Sequence, residues 1–82
     1  MEVKVYGTSW CEDTQRTLKQ LSGFGVAYEY IDIEQDTEAA RWVREQNGGK
    51  QRTPTLEVGG QILSVPDEEE LESVLREKGF MA

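Results

Sequence analysis

The chain is short of the residues on which most protein chemistry relies. It contains one cysteine and no histidine. One cysteine permits no internal disulfide, so nothing staples the fold covalently. A secreted chain of 82 residues would usually carry several bridges. Without histidine, the commonest general base and metal ligand is missing. A single cysteine cannot build a tetrahedral zinc site, and the acidic residues lack calcium-loop spacing, so no metal is expected. Basic residues are scarce as well: 9 Lys and Arg stand against 16 Asp and Glu, for a formal net charge of −7. That balance argues against nucleic acid, whose phosphates demand a basic surface, and against anionic membranes. No apolar run is long enough to cross a bilayer, and no N-terminal stretch resembles a signal peptide. These absences point to a reducing, cytoplasmic compartment. Only 37% of residues are hydrophobic, so the core should be thin and layered. The length fits one domain over residues 1–82.

What the chain does have is organised around Trp10-Cys11-Glu12-Asp13-Thr14. Val3 and Val5 alternate with Lys4 and Tyr6, which reads as a strand. Gly7-Thr8-Ser9 breaks it as a turn. From Cys11 the period changes, and Thr14, Leu18 and Leu21 follow on one helical face. Glu12 and Asp13 fall in that helix's first turn, where acidic side chains favour the positive end of the dipole. The one thiol therefore stands at a strand–turn–helix junction. Free N–H groups and positive partial charge there favour an anion, and the thiolate is the reactive form of cysteine.

The first helix should end near Ser22-Gly23, with Gly23 as a left-handed cap. Val26 to Ile33, rich in β-branched and aromatic residues, reads as a second strand, parallel to the first through a right-handed crossover. Asp36-Thr37 can cap a second helix running to about Gln46, stopped by Asn47-Gly48-Gly49. Trp42 on that helix is best explained as a cover for the sheet. A polar loop, Lys50-Gln51-Arg52-Thr53, leads to Pro54. Thr55–Val58 and Gln61–Val65 then form an antiparallel hairpin about Gly59-Gly60. Pro66 ends the ladder. Asp67 caps a third helix in a capping box with Glu70, Leu71, Val74 and Leu75 form its buried stripe, and Gly79 closes it. The expected class is α/β, in the order β-α-β-α-β-β-α, with a four-stranded mixed sheet and three helices covering both faces.

A thiol at the strand–helix junction, a Thr-Pro before the third strand and a Gly-Gly hairpin in this element order resemble the glutaredoxins, within the thioredoxin fold. Trp10-Cys11, Tyr28 to Ile33, Asp36 to Ala40, Asn47-Gly48-Gly49 and Pro54-Thr55 are similar to the mycoredoxin-like branch. The resemblance implies that Cys11 is the nucleophile that attacks a mixed disulfide. It implies that Pro54 is a cis-proline whose loop aligns an incoming peptide or small thiol, and that Trp10 lines the groove. Thr53 belongs to that loop, and Arg52 is placed to pair with a substrate carboxylate. The chain departs from the family pattern at several positions. Thr14 stands where the dithiol form has its second cysteine, and Thr8 where a lysine is common. Glu12-Asp13 replaces the Gly-Phe-Ser continuation of the cluster-assembling branch, so no iron–sulfur cluster is expected. Val65-Pro66-Asp67 replaces the Gly-Cys-Asp that holds the γ-glutamyl end of glutathione.

Two functions follow as expectations. The first is a monothiol thiol–disulfide oxidoreductase acting on mixed disulfides of a small thiol with protein. Cys11 attacks, and the Thr14 hydroxyl donates a hydrogen bond to its thiolate. No bound cofactor is expected; glutathione or another small thiol would be co-substrate, and the chain would act as a monomer. The alternative is a thioredoxin-fold binding or adaptor module that has lost turnover, with Cys11 as a redox-sensitive mark. Charge adds one more expectation. The helix N-terminus favours the thiolate and Glu12 and Asp13 oppose it, which should leave Cys11 near an ordinary thiol unless Arg16 or Arg52 reaches the sulfur.

Overall fold

The structure is a computed structural model that describes residues 2–82. Seven elements follow in order: β1 (Val3–Gly7), α1 (Glu12–Gly23), β2 (Glu29–Asp32), α2 (Thr37–Gln46), β3 (Thr55–Val58), β4 (Gln61–Ser64) and α3 (Glu68–Glu77). The strands form one sheet in the order β2-β1-β3-β4. β1 runs parallel to β2 and antiparallel to β3, and β3 and β4 form the hairpin. This is the thioredoxin-like arrangement expected from the sequence.

The two faces of the sheet are unequal. Val3 and Val5 of β1 join Leu56 and Val58 of β3 and Leu63 of β4 on one face, under Leu21 of α1 and Leu71, Val74 and Leu75 of α3. Each of these leucines, fully buried, contributes about 1.5–3 kcal/mol relative to exposure. The other face is thinner: α2 lays only Ala39, Ala40 and Val43 against Ile33. Trp42 extends this cover by packing on Tyr6, with ring centroids 4.5 Å apart and planes tilted by 32°. The helix that follows the thiol is thus seated on the heavier face, which fixes the direction of its N-terminus.

Local signals set most of the boundaries. The Asp36 carboxylate accepts the Ala39 N–H at 3.0 Å and the Asp67 carboxylate accepts the Glu70 N–H at 2.8 Å, so both expected caps form. Several boundaries differ from the sequence reading: Gly7 ends β1 instead of opening the turn, and β2 stops at Asp32, one residue before Ile33. Gly23 is the last helical residue of α1, and the left-handed residue is Gly25, at φ 73°. Gly25 N–H bonds to Ser22 C=O and Val26 N–H to Leu21 C=O, both at 3.0 Å, which is a Schellman closure. Val26 is consumed by that closure, so β2 begins only at Glu29, where β1 offers Lys4 as its first partner. β4 stops at Ser64 because Val65 adopts φ 45°, a left-handed conformation that strains a β-branched residue.

Candidate active site

Gly7 ends β1 and makes the junction possible. A Cβ added there would lie 2.6 Å from both Cγ2 and Oγ1 of Thr14, so only glycine lets α1 seat this closely. The turn that follows is tied down twice. Cys11 N–H donates to Thr8 C=O at 3.3 Å, and the Gln15 side-chain amide donates to Ser9 C=O at 2.6 Å. Cys11 is the N-cap of α1, in extended conformation at φ −80° and ψ 123°. The thiol thus stands at the helix N-terminus, though its sulfur makes no cap hydrogen bond to the first N–H groups of α1.

The second half of the site comes from 42 positions further along the chain. The Thr53–Pro54 peptide is cis. The loop it forms brings Thr53 against Cys11: the Thr53 hydroxyl donates to Sγ at 3.4 Å, and the thiol donates to Thr53 C=O at 3.7 Å. One residue thus offers the sulfur an acceptor when it is protonated and a donor when it is not. Thr14 completes the surroundings from inside. It is 0% exposed and its hydroxyl has no hydrogen-bond partner, so the bond expected from Thr14 to the sulfur is not formed.

The balance at the sulfur follows from these contacts. Partial burial pushes the thiol pKa up. The Thr53 hydroxyl, followed by the polar groups of Thr14 and Asp13 at the start of the helix, pulls it down, and the balance lies below its ordinary value. The two acids beside Cys11 thus do not raise it. The Asp13 carboxylate turns away to Arg16, at 2.7 Å, in an exposed ion pair. Glu12 is exposed, and water screens its charge. Hydrogen bonding at the sulfur itself outweighs charges held in solvent. Neither arginine is needed for the shift.

The other expected site residues surround this centre. Trp10 is 69% exposed, and its indole N–H donates to the Glu34 carboxylate at 3.0 Å. Glu34 is itself placed by an N–H bond to the Asp32 carboxylate at 2.9 Å, so the ring is latched to the β2–α2 connection. Arg52 enters through its backbone, whose carbonyl accepts the Thr55 hydroxyl at 2.7 Å. Its side chain makes no ion pair among the described residues. The sequence reading gave no site role to two neighbours. Thr8, fully buried, carries a second unpaired hydroxyl at the turn. Tyr30 on β2 has a buried, unpaired hydroxyl, and burial, then the charges of Asp32, Glu34 and Cys11, push its pKa up. A strand tyrosine facing the core gives no sequence signal of proximity to a thiol.

Comparison with known proteins bears on the same residues. Residues 3–63 match the Glutaredoxin family model, a span that holds both Cys11 and the Thr53–Pro54 loop. Mycoredoxin 1 of Corynebacterium glutamicum is 41% identical over 54 residues, 66% of this chain and 66% of that protein, so the match spans just under two thirds of that relative. A Mycobacterium tuberculosis protein described as a glutaredoxin is 35% identical over 72 residues, 87% of this chain and 86% of that one. Among solved structures, the glutaredoxin-like NrdH-redoxin from Escherichia coli superposes with a TM-score of 0.80 at 22% identity, covering 89% of this chain and 93% of its own, which supports the fold. With the family model covering the strand, the thiol and the cis-proline alike, the likeness read from short motifs becomes membership: this chain belongs to the glutaredoxin family.

Proposed function

We propose that the chain is a monothiol thiol–disulfide oxidoreductase acting on mixed disulfides between a small thiol and protein. The observation that carries this reading is the cis Thr53–Pro54 loop, which sets the Thr53 hydroxyl 3.4 Å from the Cys11 sulfur, a contact that pulls the thiol pKa down. A low pKa raises the thiolate fraction, and the thiolate is the attacking species. In the first step the Cys11 thiolate attacks the sulfur of the small thiol in a mixed disulfide. A Cys11–small-thiol disulfide forms, and the protein leaves as a thiolate. In the second step a free small thiol, as its thiolate, attacks that adduct. The Cys11 thiolate returns and the symmetrical small-thiol disulfide is released. With Thr14 in place of a second cysteine the chain cannot close an internal disulfide, so resolution must come from outside.

The cis Thr53–Pro54 loop supplies the backbone on which the incoming disulfide aligns, the Trp10 ring forms one wall, and the exposed Arg52 guanidinium is available to a carboxylate. Glutathione or another small thiol is the co-substrate. The chain acts as a monomer in a reducing compartment and holds no cofactor. Among the described residues no helix is long and apolar enough to cross a membrane. The test is turnover with a glutathionylated peptide in the presence of the free thiol, together with intact-mass measurement. The wild-type chain should gain one glutathionyl group, Cys11→Ser none, and only the former should turn over. Absence of an adduct under conditions that label a control thiol overturns the reading.

A further inference from the structure

The loop from Gly48 to Arg52 is exposed and has no regular structure, yet it must hold a hydroxyl 3.4 Å from a sulfur on another element. Its far side is secured by the sheet: Val65 N–H donates to Pro54 C=O at 2.8 Å, and Thr55 pairs with Ser64. Its near side is tied to the end of α2 by the Gly49 N–H on Arg44 C=O at 2.7 Å and the Lys50 N–H on Asn47 C=O at 3.2 Å, and beyond Lys50 by side chains. Thr55 is fully buried, and its hydroxyl donates to the Arg52 carbonyl at 2.7 Å, one residue before Thr53. A hydroxyl has a single proton, so anything else bound to it must donate. Asn47, at the C-cap of α2, does so: its amide donates to Thr55 Oγ1 at 3.2 Å and to Val43 C=O at 2.6 Å. Its amide oxygen accepts from the Ser64 hydroxyl. With the amide held at both ends, its orientation is determined, and it turns the Thr55 proton toward the loop.

We infer that Asn47 is a positioning residue for the reactive thiol, acting through the Thr55 hydroxyl to fix the Arg52 carbonyl and with it the Thr53 hydroxyl at Sγ. The inference rests on the proposed role of Cys11 as nucleophile but concerns the thiolate itself. Asn47 touches neither the sulfur nor the groove. Its effect passes through Thr55, which lies away from solvent, so water cannot take over the link when it is cut. An aspartate at 47 would keep the shape and lose the donor, drawing the Thr55 proton away from Arg52.

The test is the pH dependence of Cys11 alkylation by iodoacetamide, which reports the thiolate whether or not the protein turns over. Asn47→Ala, Asn47→Asp and Thr55→Val should each raise the midpoint by roughly half to one pH unit, while Thr55→Ser, which keeps the hydroxyl, stays at the wild-type midpoint. In a Thr53→Val background, Asn47→Ala should add nothing, because the group it positions is gone. Circular dichroism and urea midpoints identify any variant that fails to fold, and Thr55→Val then serves in place of Asn47→Ala. An unchanged midpoint in folded Asn47→Ala or Thr55→Val overturns the inference, as does a shift that persists in full without the Thr53 hydroxyl. A chain that lacks turnover but shows the coupled shifts would defeat the proposed function and leave this inference standing.

Discussion

Thr53→Val is the substitution that bears most directly on the site. Valine keeps the shape of threonine and removes only the hydroxyl that donates to Cys11 Sγ at 3.4 Å. The carbonyl that accepts from the protonated thiol, at 3.7 Å, stays in place. The variant therefore destabilises the thiolate and leaves the thiol untouched. A hydrogen bond to a charged group contributes about 1.5–3 kcal/mol when it is well buried. Here the contact is long and only part-buried, so water replaces part of it, and about half of that range, ~0.7–1.4 kcal/mol, is the appropriate figure. That corresponds to a rise of roughly half to one pKa unit.

The kinetic consequence has two signs. Below both midpoints the thiolate fraction falls about three- to tenfold. The remaining thiolate is intrinsically more nucleophilic, with a Brønsted coefficient of about 0.4–0.5, so the net loss of rate is about two- to fourfold. Above both midpoints the sulfur is ionised in both proteins, and the variant should be faster by about two- to threefold. The rate–pH curves of wild type and variant must therefore cross. The assay is stopped-flow reaction with an uncharged aromatic disulfide whose released thione absorbs. Parallel curves with a common midpoint would show that the Thr53 hydroxyl does not act on the sulfur, and a lowered midpoint would reverse the argument.

Three further perturbations probe the surroundings. Thr14→Cys, on the same helical face as Cys11, should close an internal disulfide, and the four-residue loop gives a stabilisation of about 2 kcal/mol in the chain-entropy treatment. Two alkylatable thiols remaining after oxidation would show that the pair cannot meet. Gly7→Ala drives a methyl into Thr14, whose nearest atoms would lie at 2.6 Å, and should cost about 1–3 kcal/mol in urea denaturation; a wild-type midpoint would mean that α1 sits more loosely on β1. Trp10, exposed beside the thiol, should change its fluorescence when Cys11 takes up a small thiol, while Trp42, packed on Tyr6, should not. Trp10→Phe should abolish the signal with the adduct still present by mass, and a surviving signal would assign it to Trp42.

How far the sequence revealed this molecule depended on the range of the forces involved. The α1 and α3 stripes, the Gly59-Gly60 hairpin and the Asp36 and Asp67 caps are decided within a few residues, and each formed where its pattern lies. The start of β2 was not legible from Val26, because an edge strand begins where its neighbour has groups to offer, and Val26 had already closed α1. The thiol was the hardest to read for the same reason. Glu12 and Asp13 adjoin Cys11 in sequence, and adjacency made their charge look large enough to cancel the helix N-terminus. In three dimensions Asp13 faces Arg16, and the strongest favourable contact to the sulfur comes from a threonine 42 positions away. A lone cysteine at a helix N-terminus therefore says where an anion can be tolerated. Whether that anion is actually favoured is settled by a loop that must be brought in and held. The groups that hold it are an amide at the end of α2 and a hydroxyl inside β3, residues whose sequence context reads only as a helix stop and a strand start. Reactivity in such a chain depends on the order of its least regular segment, and side-chain hydrogen bonds from the regular ones provide it.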